Sequence, residues 1–150
     1  MAALRRKGKW GVELKYHLFD HTADIGVRIF GKSLENLFEH AAEALFSLIV
    51  QGGSSEKNDV TTLCVTGETL EHLFMNWMRA LLMQFSIKER IVLRVRIVAL
   101  SENALEAELH TSSFDPDCHE IQHEIKAVTY HGLVVEKRGN GWFAQVVLDV

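Results

Sequence analysis

The sequence predicts an α+β domain in which two helices pack on a mostly antiparallel sheet. Two segments carry apolar residues at the spacing of an amphipathic helix, and most of the remaining chain alternates between apolar and polar residues as strands do. The predicted order is two strands, a helix, a strand, a second helix and then five strands. Runs of consecutive strands joined by short turns are typical of antiparallel sheets, which indicates the α+β class.

The first half of the chain contains two predicted strands, a helix and a third strand. Residues 14–18 and 25–29 alternate in the strand pattern, and Gly31 ends the second strand. Ser33 can cap a helix from about residue 34 to 50, because its hydroxyl can accept a hydrogen bond from an amide of the first turn. The segment "QGGSSEKND" is expected to be a loop, and "VTTLCVT" is expected to be a short strand.

The second predicted helix begins after Thr69, whose hydroxyl is again a suitable cap. Its apolar residues form a broad stripe, which we interpret as core packing and not as a cofactor site. The stripe consists of Leu70, Leu73, Phe74, Trp77, Met78, Leu81, Leu82 and Phe85.

Five strands are predicted after this helix. The runs "RIVLRVRIVAL" and "NALEAELHT" are expected to pair as a hairpin through "SEN". The segment "SSFDPDCHEIQ" is expected to be a loop with at most one helical turn. Three strand-like runs follow, "HEIKAVTY", "GLVVEKR" and "WFAQVVLDV". The "GNG" before the last run is a hairpin signal, because Asn and Gly tolerate positive φ.

The composition is that of an ordinary globular domain. The chain has 150 residues, of which 47% are hydrophobic, 24% are charged and only one is proline. We assign residues 13–150 to a single domain and the basic residues 1–12 to a flexible N-terminal extension. The formal net charge of −4 argues against direct binding of a nucleic-acid backbone.

The chain is expected to be cytoplasmic. It lacks the apolar core of a signal peptide, and no run reaches the ~18 apolar residues of a membrane span. Cys64 and Cys118 lie far apart and outside any CxxC spacing, so we expect two reduced thiols. No phosphate-binding loop, dinucleotide fingerprint or HExxH zinc helix is present.

The stretch "DHTAD", residues 20–24, is the most concentrated polar cluster. Asp20 and Asp24 lie four positions apart, so an extended strand would place them on one face. Hard cations such as Ca²⁺ or Mg²⁺ bind carboxylates, carbonyls and waters, but two aspartates are too few for a complete site. A turn with solvated acids is the alternative explanation of this cluster.

The C-terminus supplies two further anionic groups. The chain ends "VVLDV", so apolar residues run directly into Asp149 and the α-carboxylate of Val150. If the last strand lies centrally in the sheet, these groups are held in place. Clustered anions repel each other, so such a cluster needs a cation or a lysine nearby. A plain, water-exposed end of the sheet is the alternative.

Lys126 is the third polar feature, because it stands between apolar neighbours in a predicted strand. An exposed charge on an edge strand, which discourages aggregation, is one explanation. A lysine directed at a phosphate or a carboxylate is the other.

Taken together, three segments resemble the archease family. They are "YHLFDHTADIGVRIFGKSLENLFEHAAEALF" at residues 16–46, "EIKAVTYHGL" at residues 124–133 and the terminal "WFAQVVLDV". The resemblance covers about residues 13–150, with the motifs in the same order and at the same spacing. It implies a strand–helix–strand–strand-type core with an inserted segment.

The resemblance implies a role in RNA ligation. Archease is a cofactor protein of the GTP-dependent 3′-phosphate RNA ligase that seals tRNA exon halves and acts in RNA repair. It promotes guanylylation of the ligase, so that the ligase turns over repeatedly. On this basis we expect the chain to be an activator and not an enzyme, to bind the ligase, and to meet RNA only indirectly.

The resemblance also implies a divalent-cation site. In the family a cation, assigned as calcium, is bound by three residues that correspond here to Asp24, Asp149 and Val150; magnesium or manganese would also suit them. Lys126 corresponds to an important lysine of the family. Asp20 matches the other acid of the motif, and Asp20 and His21 are expected to shape or support the loop.

Two other classes of function stay open at this point. One is an independent metal-dependent hydrolase of phosphate-containing substrates that would use Asp24, Asp149 and either His21 or His131. The sequence shows no convincing nucleophile–base pair and no three-ligand motif for it. The other is a protein-interaction module without a metal.

Overall fold

The structure is a computed structural model that describes residues 14–21, 23–53 and 58–150. The predicted extension, residues 1–12, and Thr22 of the DHTAD motif lie outside the described residues, and only the backbone of His21 is described. The elements, in chain order, are β1 (Tyr16–His21), β2 (Asp24–Gly31), α1 (Leu34–Ile49), β3 (Val50–Gln51), β4 (Asn58–Thr66), α2 (Leu70–Ser86), β5 (Arg90–Leu100), β6 (Ala104–Ser113), β7 (Glu120–Ile121), β8 (Ala127–Arg138) and β9 (Gly141–Asp149).

The strands of the described chain form two main sheets and a short ribbon. The four-stranded sheet has the order β1-β2-β9-β8, the three-stranded sheet has the order β4-β6-β5, and β3 pairs with β7. All of these pairings are antiparallel. The predicted class, two helices with mostly antiparallel strands, is confirmed. The strands are divided between separate sheets, and the helices contact strands of both main sheets.

Both predicted helix caps are confirmed. The Ser33 hydroxyl accepts a hydrogen bond from the amide of Asn36 at 3.1 Å. The Thr69 hydroxyl accepts one from the amide of His72, also at 3.1 Å. Each hydroxyl satisfies an amide that the helix itself leaves unpaired. In the described part of the chain, no helix is both long and apolar enough to cross a membrane.

The apolar stripe of α2 faces the core, as predicted. Trp77 has no exposed surface, and its indole Nε1 donates a hydrogen bond to the carbonyl of Phe38 at 2.9 Å. The Phe38 ring meets the Phe74 ring edge to face, with centroids 5.3 Å apart. These contacts join α1 to α2, and the polar end of the indole is satisfied inside the core.

The structure corrects the predicted strands after residue 121. "HEIKAVTY" and "GLVVEKR" belong to one strand, β8, which begins at Ala127 and not at His123. Its pairing with β9 is interrupted between Thr129 and Val134. Gly132 has a positive φ of 66° within this interruption, which is why the sequence resembles a turn between two strands.

Two short strands were not predicted. The sequence pattern predicts the end of a helix and a loop at Val50–Gln51, and it predicts the loop "SSFDPDCHEIQ" at Glu120–Ile121. Each strand has only two residues, too few to show an alternating pattern. Only their pairing with each other makes them strands.

The predicted final hairpin is confirmed. Arg138 pairs with Gly141, so Gly139 and Asn140 form a two-residue turn. Gly139 has a positive φ of 57°, as this kind of turn requires. The turn leads into β9, which lies between β2 and β8 in the sheet.

Replacing Trp77 with alanine should destabilise the fold by about 3–5 kcal/mol, because a large buried ring is lost and a cavity remains. Chemical denaturation measures this free energy. Met83→Ala is the matched control, since Met83 lies on the same helix but is 51% exposed. That change should cost less than about 0.5–1 kcal/mol. Equal stability of the Trp77→Ala and parent proteins would contradict the assigned packing.

Candidate cation site at one end of the four-stranded sheet

The register of the four-stranded sheet brings the predicted site residues to one end. His21 pairs with Asp24 across the β1–β2 turn. Ile25 pairs with Leu148, so the residues one step further, Asp24 and Asp149, face each other at the end of the β2–β9 pair. On the other side of β9, Asp149 pairs with Ala127. Segments that are distant in the sequence therefore meet at this end of the sheet.

Asp24 and Asp149 lie on the same face of the sheet. Side chains alternate along a strand, so Asp24 shares a face with Gly26, and Asp149 shares a face with Val147. Gly26 and Val147 are themselves paired. This face is the one turned away from the helices, and both aspartates are half-buried there.

The end of the chain is held on both sides. The backbone amide of Lys126 donates a hydrogen bond to the carbonyl of Asp149 at 2.7 Å. The half-buried side chain of Val150 packs against the main hydrophobic core. The terminal carboxylate is thus attached to an anchored residue, next to Asp149 and on a central strand. The condition that the last strand lies centrally in the sheet is met.

The other predicted residues lie around this end. Asp20 is exposed and pairs with Ile25 through the backbone. Lys126 is exposed just before β8, and it lines a cavity of about 530 Å³ with apolar residues such as Leu82 and Phe85. His131 is also exposed, but it lies in the interrupted part of β8, beyond Thr129 along the strand.

The donor set has the chemistry that a hard divalent cation prefers. It consists of two aspartate carboxylates and a terminal carboxylate, all oxygen donors. Among the described residues, no group of three or more His, Cys, Asp or Glu side chains could hold a metal ion. The arrangement fits that result, because only two of its three acids are side chains. A cation here would also offset the mutual repulsion of the carboxylates.

The face of the sheet that carries the aspartates is covered by aromatic and basic side chains. The Arg28 guanidinium lies 4.3 Å from the centroid of the Phe19 ring. A Cβ atom added at Gly26 would lie 2.2 Å from Cζ of that ring. Gly26 therefore leaves the space in which Phe19 lies flat on the sheet, two residues from Asp24.

His17 is the buried polar residue of this face, with 5% of its surface exposed. Its ring stacks on Phe30 with the centroids 6.1 Å apart, and Arg28 Nη1 lies 3.3 Å from its Nε2. Burial, and then the nearby Arg28 charge, lower the pKa of the His17 imidazole. The ring therefore stays neutral near pH 7 and adds no positive charge of its own beside Arg28.

The layer formed by Phe19, Gly26 and Arg28 is not predicted from the sequence. Phe19, Gly26 and Arg28 have no motif of their own, and their contacts follow from the pairing of β1 with β2. A glycine inside an alternating strand was the one available signal, since it often marks a close approach of another group.

Known proteins match this chain over most of its length. The family described as "Archease protein family (MTH1598/TM1083)" matches residues 16–150. Protein archease of Pyrococcus abyssi is 40% identical over 141 residues, which cover 91% of this chain and 99% of that protein. Protein archease of Methanosarcina acetivorans is 35% identical over 140 residues, which cover 91% of this chain and 96% of that protein.

Solved structures share the fold. The solution structure of Methanobacterium thermoautotrophicum protein 1598 matches with a TM-score of 0.67 at 24% identity, covering 91% of this chain and 99% of that one. The crystal structure of an archease from Thermotoga maritima, described as a possible chaperone, matches with a TM-score of 0.60 at 25% identity. It covers 88% of this chain and 94% of that one.

The fold and the site define an α+β protein in which an acidic loop and the C-terminus meet at one end of the four-stranded sheet. Since the family match extends over residues 16–150, the chain belongs to the archease family.

Gly26→Ala should destabilise the protein by about 1–3 kcal/mol, because the new methyl group displaces the Phe19 ring. The cost should fall when the same change is made in a Phe19→Ala background, which a double-mutant cycle measures by denaturation. Gly53→Ala is the control, since a Cβ atom there has no neighbour within 4 Å. An undiminished cost in the Phe19→Ala background would show that the ring is not the cause.

Proposed function

We propose that this protein activates a GTP-dependent 3′-phosphate RNA ligase by promoting its guanylylation, so that the ligase acts over many turnovers. Membership of the archease family is the observation that carries this proposal. The positions of Asp24, Asp149 and the chain end support the proposal. They lie together at one end of the sheet and so provide an acidic surface for contact with another protein.

The proposed cation is held by Asp24, Asp149 and the carboxylate of Val150. Calcium is the family expectation, and magnesium and manganese suit the same oxygen donors. A bound divalent cation would offset two of the three negative charges at this tip and would offer further coordination positions to an oxygen atom of a partner. The protein's own part is to hold the three carboxylates through the β2–β9 pairing and the Lys126–Asp149 backbone hydrogen bond.

The remaining predicted residues have supporting roles in this proposal. Asp20 and His21 end β1 and so help to determine where the β1–β2 turn places Asp24. The Lys126 amide is hydrogen-bonded to Asp149, and the exposed Lys126 side chain lines the cavity next to Leu82 and Phe85, from which its ammonium can reach a phosphate or a carboxylate of the partner. The formal net charge of −4 favours contact with a protein over direct binding of RNA.

The central test mixes the protein with the cognate ligase, GTP and Mn²⁺ and follows ligase guanylylation over several turnovers. Stimulation by less than one equivalent of this protein is the expected result. Phosphatase or nuclease activity of the protein without the ligase would instead support the hydrolase alternative. If the protein does not stimulate guanylylation of the ligase, the proposed activator role is wrong.

Asp24→Asn should weaken cation binding and ligase stimulation together, because one anionic ligand becomes neutral. Isothermal titration with Ca²⁺, Mg²⁺ and Mn²⁺ measures the first effect, and the guanylylation assay measures the second. Asp117→Asn makes the same change of charge at an exposed turn residue far from the site in the sequence, and should leave both unchanged. The Asp24 assignment fails if Asp24→Asn binds all three cations as tightly as the parent.

Extending the chain beyond Val150 should reduce stimulation more than an equal N-terminal extension does. The α-carboxylate, whose reference pKa is near 3.5, becomes a neutral amide, and the added backbone occupies the surface around the acidic tip.

Lys126→Ala should reduce stimulation but leave cation binding unchanged, because the residue contacts Asp149 through its backbone amide. Full stimulation by both the extended protein and Lys126→Ala would contradict this arrangement.

A further inference from the structure

The four-stranded sheet carries opposite charges at its two ends. One end is the acidic tip, formed by Asp24, Asp149 and the end of the chain. At the other end, the turn between β8 and β9 lies beside the last residues of β2, because Gly31 pairs with Trp142. Three exposed basic residues stand at this second end, which we call the basic end: Lys32, Lys137 and Arg138.

A cavity of about 230 Å³ lies at the basic end. It is lined by two cationic residues, Lys32 and Arg138, together with Asn140 and Trp142. None of the described residues that line this cavity is acidic. Lysine and arginine bind phosphate oxygens, and aromatic rings stack on bases, so this lining has the chemistry that binds a nucleotide unit of a nucleic acid.

The guanidinium of Arg138 is oriented by two contacts within the protein. Its Nε donates a hydrogen bond to Oε2 of Glu136 at 2.8 Å, and its Cζ lies 3.7 Å from the centroid of the Phe143 ring. Glu136 engages one of the five N–H donors of the guanidinium, and the other four belong to the two terminal nitrogens. A side chain that is already oriented loses less conformational entropy when it binds an anion.

The sequence before β1 adds positive charge beside this cavity. Residues 1–12 contain four of the 16 lysine and arginine residues of the chain and none of its 20 acidic residues, the first of which is Glu13. Residues 1–12 lie outside the described structure, but Leu14, the first described residue, itself lines the cavity. The chain therefore enters the described structure at the basic end, and basic N-terminal arms are typical of proteins that bind nucleic acids.

The acidic tip does not oppose the binding of an anion at the basic end. Strand β9 runs from one end to the other, from Gly141 to Asp149, which is roughly 27 Å at about 3.4 Å per residue. That separation exceeds the ~8 Å screening length at physiological ionic strength. The formal net charge of −4 sums over both ends, so the local charge decides which partner each end attracts.

We infer that the basic end, together with the basic residues of segment 1–12, binds the phosphate backbone of single-stranded RNA directly. Lys32 and Arg138 contact phosphate oxygens at the cavity, and the basic N-terminal residues extend the contact along the strand. The choice of RNA among polyanions rests on the proposed function, in which the partner ligase acts on RNA. The acidic tip remains available to the ligase, so one molecule contacts the RNA and the enzyme from opposite ends of one sheet.

Fluorescence anisotropy of a labelled single-stranded RNA of about 20 nucleotides, longer than a typical single-strand site, tests the inference with the full chain and without ligase. The parent should bind, and its affinity should fall as salt is added, because each neutralised phosphate releases counterions. Lys32→Gln should raise the dissociation constant about fivefold and reduce the salt slope by about 1. Lys88→Gln is the matched control and should bind like the parent, since Lys88 is exposed beside Glu89, which lines the cavity of Lys126 near the acidic tip.

A second full-length variant tests the contribution of the N-terminal residues. It carries Arg5→Gln, Arg6→Gln, Lys7→Gln and Lys9→Gln, and it leaves the sequence of the described residues unchanged. Its dissociation constant for the same RNA should rise about tenfold or more, and its salt slope should fall by about 2 or more, because several phosphate contacts are lost. Its Tm should equal that of the parent.

The inference is wrong if the parent does not bind the RNA at low salt, or if Lys32→Gln and the N-terminal variant both bind it as tightly as the parent. It is also wrong if the parent binds vesicles of phosphatidylserine and phosphatidylcholine but not RNA, since the basic end then contacts a membrane. These measurements contain no ligase, so a negative result leaves the guanylylation test of the proposed function unaffected. RNA binding without stimulation of the ligase would support this inference and contradict the proposed function alone.

Discussion

The placement of β9 between β2 and β8 is the constraint on which the rest of the structure depends. On the helix side its residues Ala144, Val146 and Leu148 have no exposed surface, and on the other side Val147 is 1% exposed. The strand is thus covered on both faces and paired at both edges. The sheet is completed only when the last residues of the chain are in place, so the C-terminus is part of the core architecture.

The same placement determines where the acidic groups meet. Because β9 is antiparallel to both neighbours, its C-terminal end lies beside the start of β2 and the start of β8. Asp24 and Lys126 are separated by about two thirds of the chain, and this topology brings both of them next to Asp149. Carboxylates at such a sheet end repel one another, and the strand pairing supplies the free energy that keeps them together.

The two faces of the four-stranded sheet are covered differently. One packs against the helices, where Trp77 and Phe38 connect α2 to α1. The other carries its own smaller layer, in which Arg28 lies against Phe19, approaches His17 and donates from Nε to Gln145 Oε1 at 2.9 Å. This layer lies directly beside the aspartates and gives β1, which has β2 as its one partner strand among the described residues, a second set of contacts.

The sequence by itself determined the helices, their caps at Ser33 and Thr69, the α+β class and the final hairpin. Each depends on neighbours within about one helical turn or one tight turn, so the pattern of residues is sufficient. It also identified the archease family.

The tertiary structure alone decided four features. They are the division into two main sheets, the joining of two predicted strands into β8, the short strands β3 and β7, and the layer of Phe19, Gly26 and Arg28. The convergence of Asp24 with Asp149 belongs to both levels: the residues were identified from the sequence, but the β2–β9 register places them opposite each other. Pairings between residues more than 100 positions apart, such as β2 with β9, leave no local pattern, because the contacts that select them form only when the whole chain has folded.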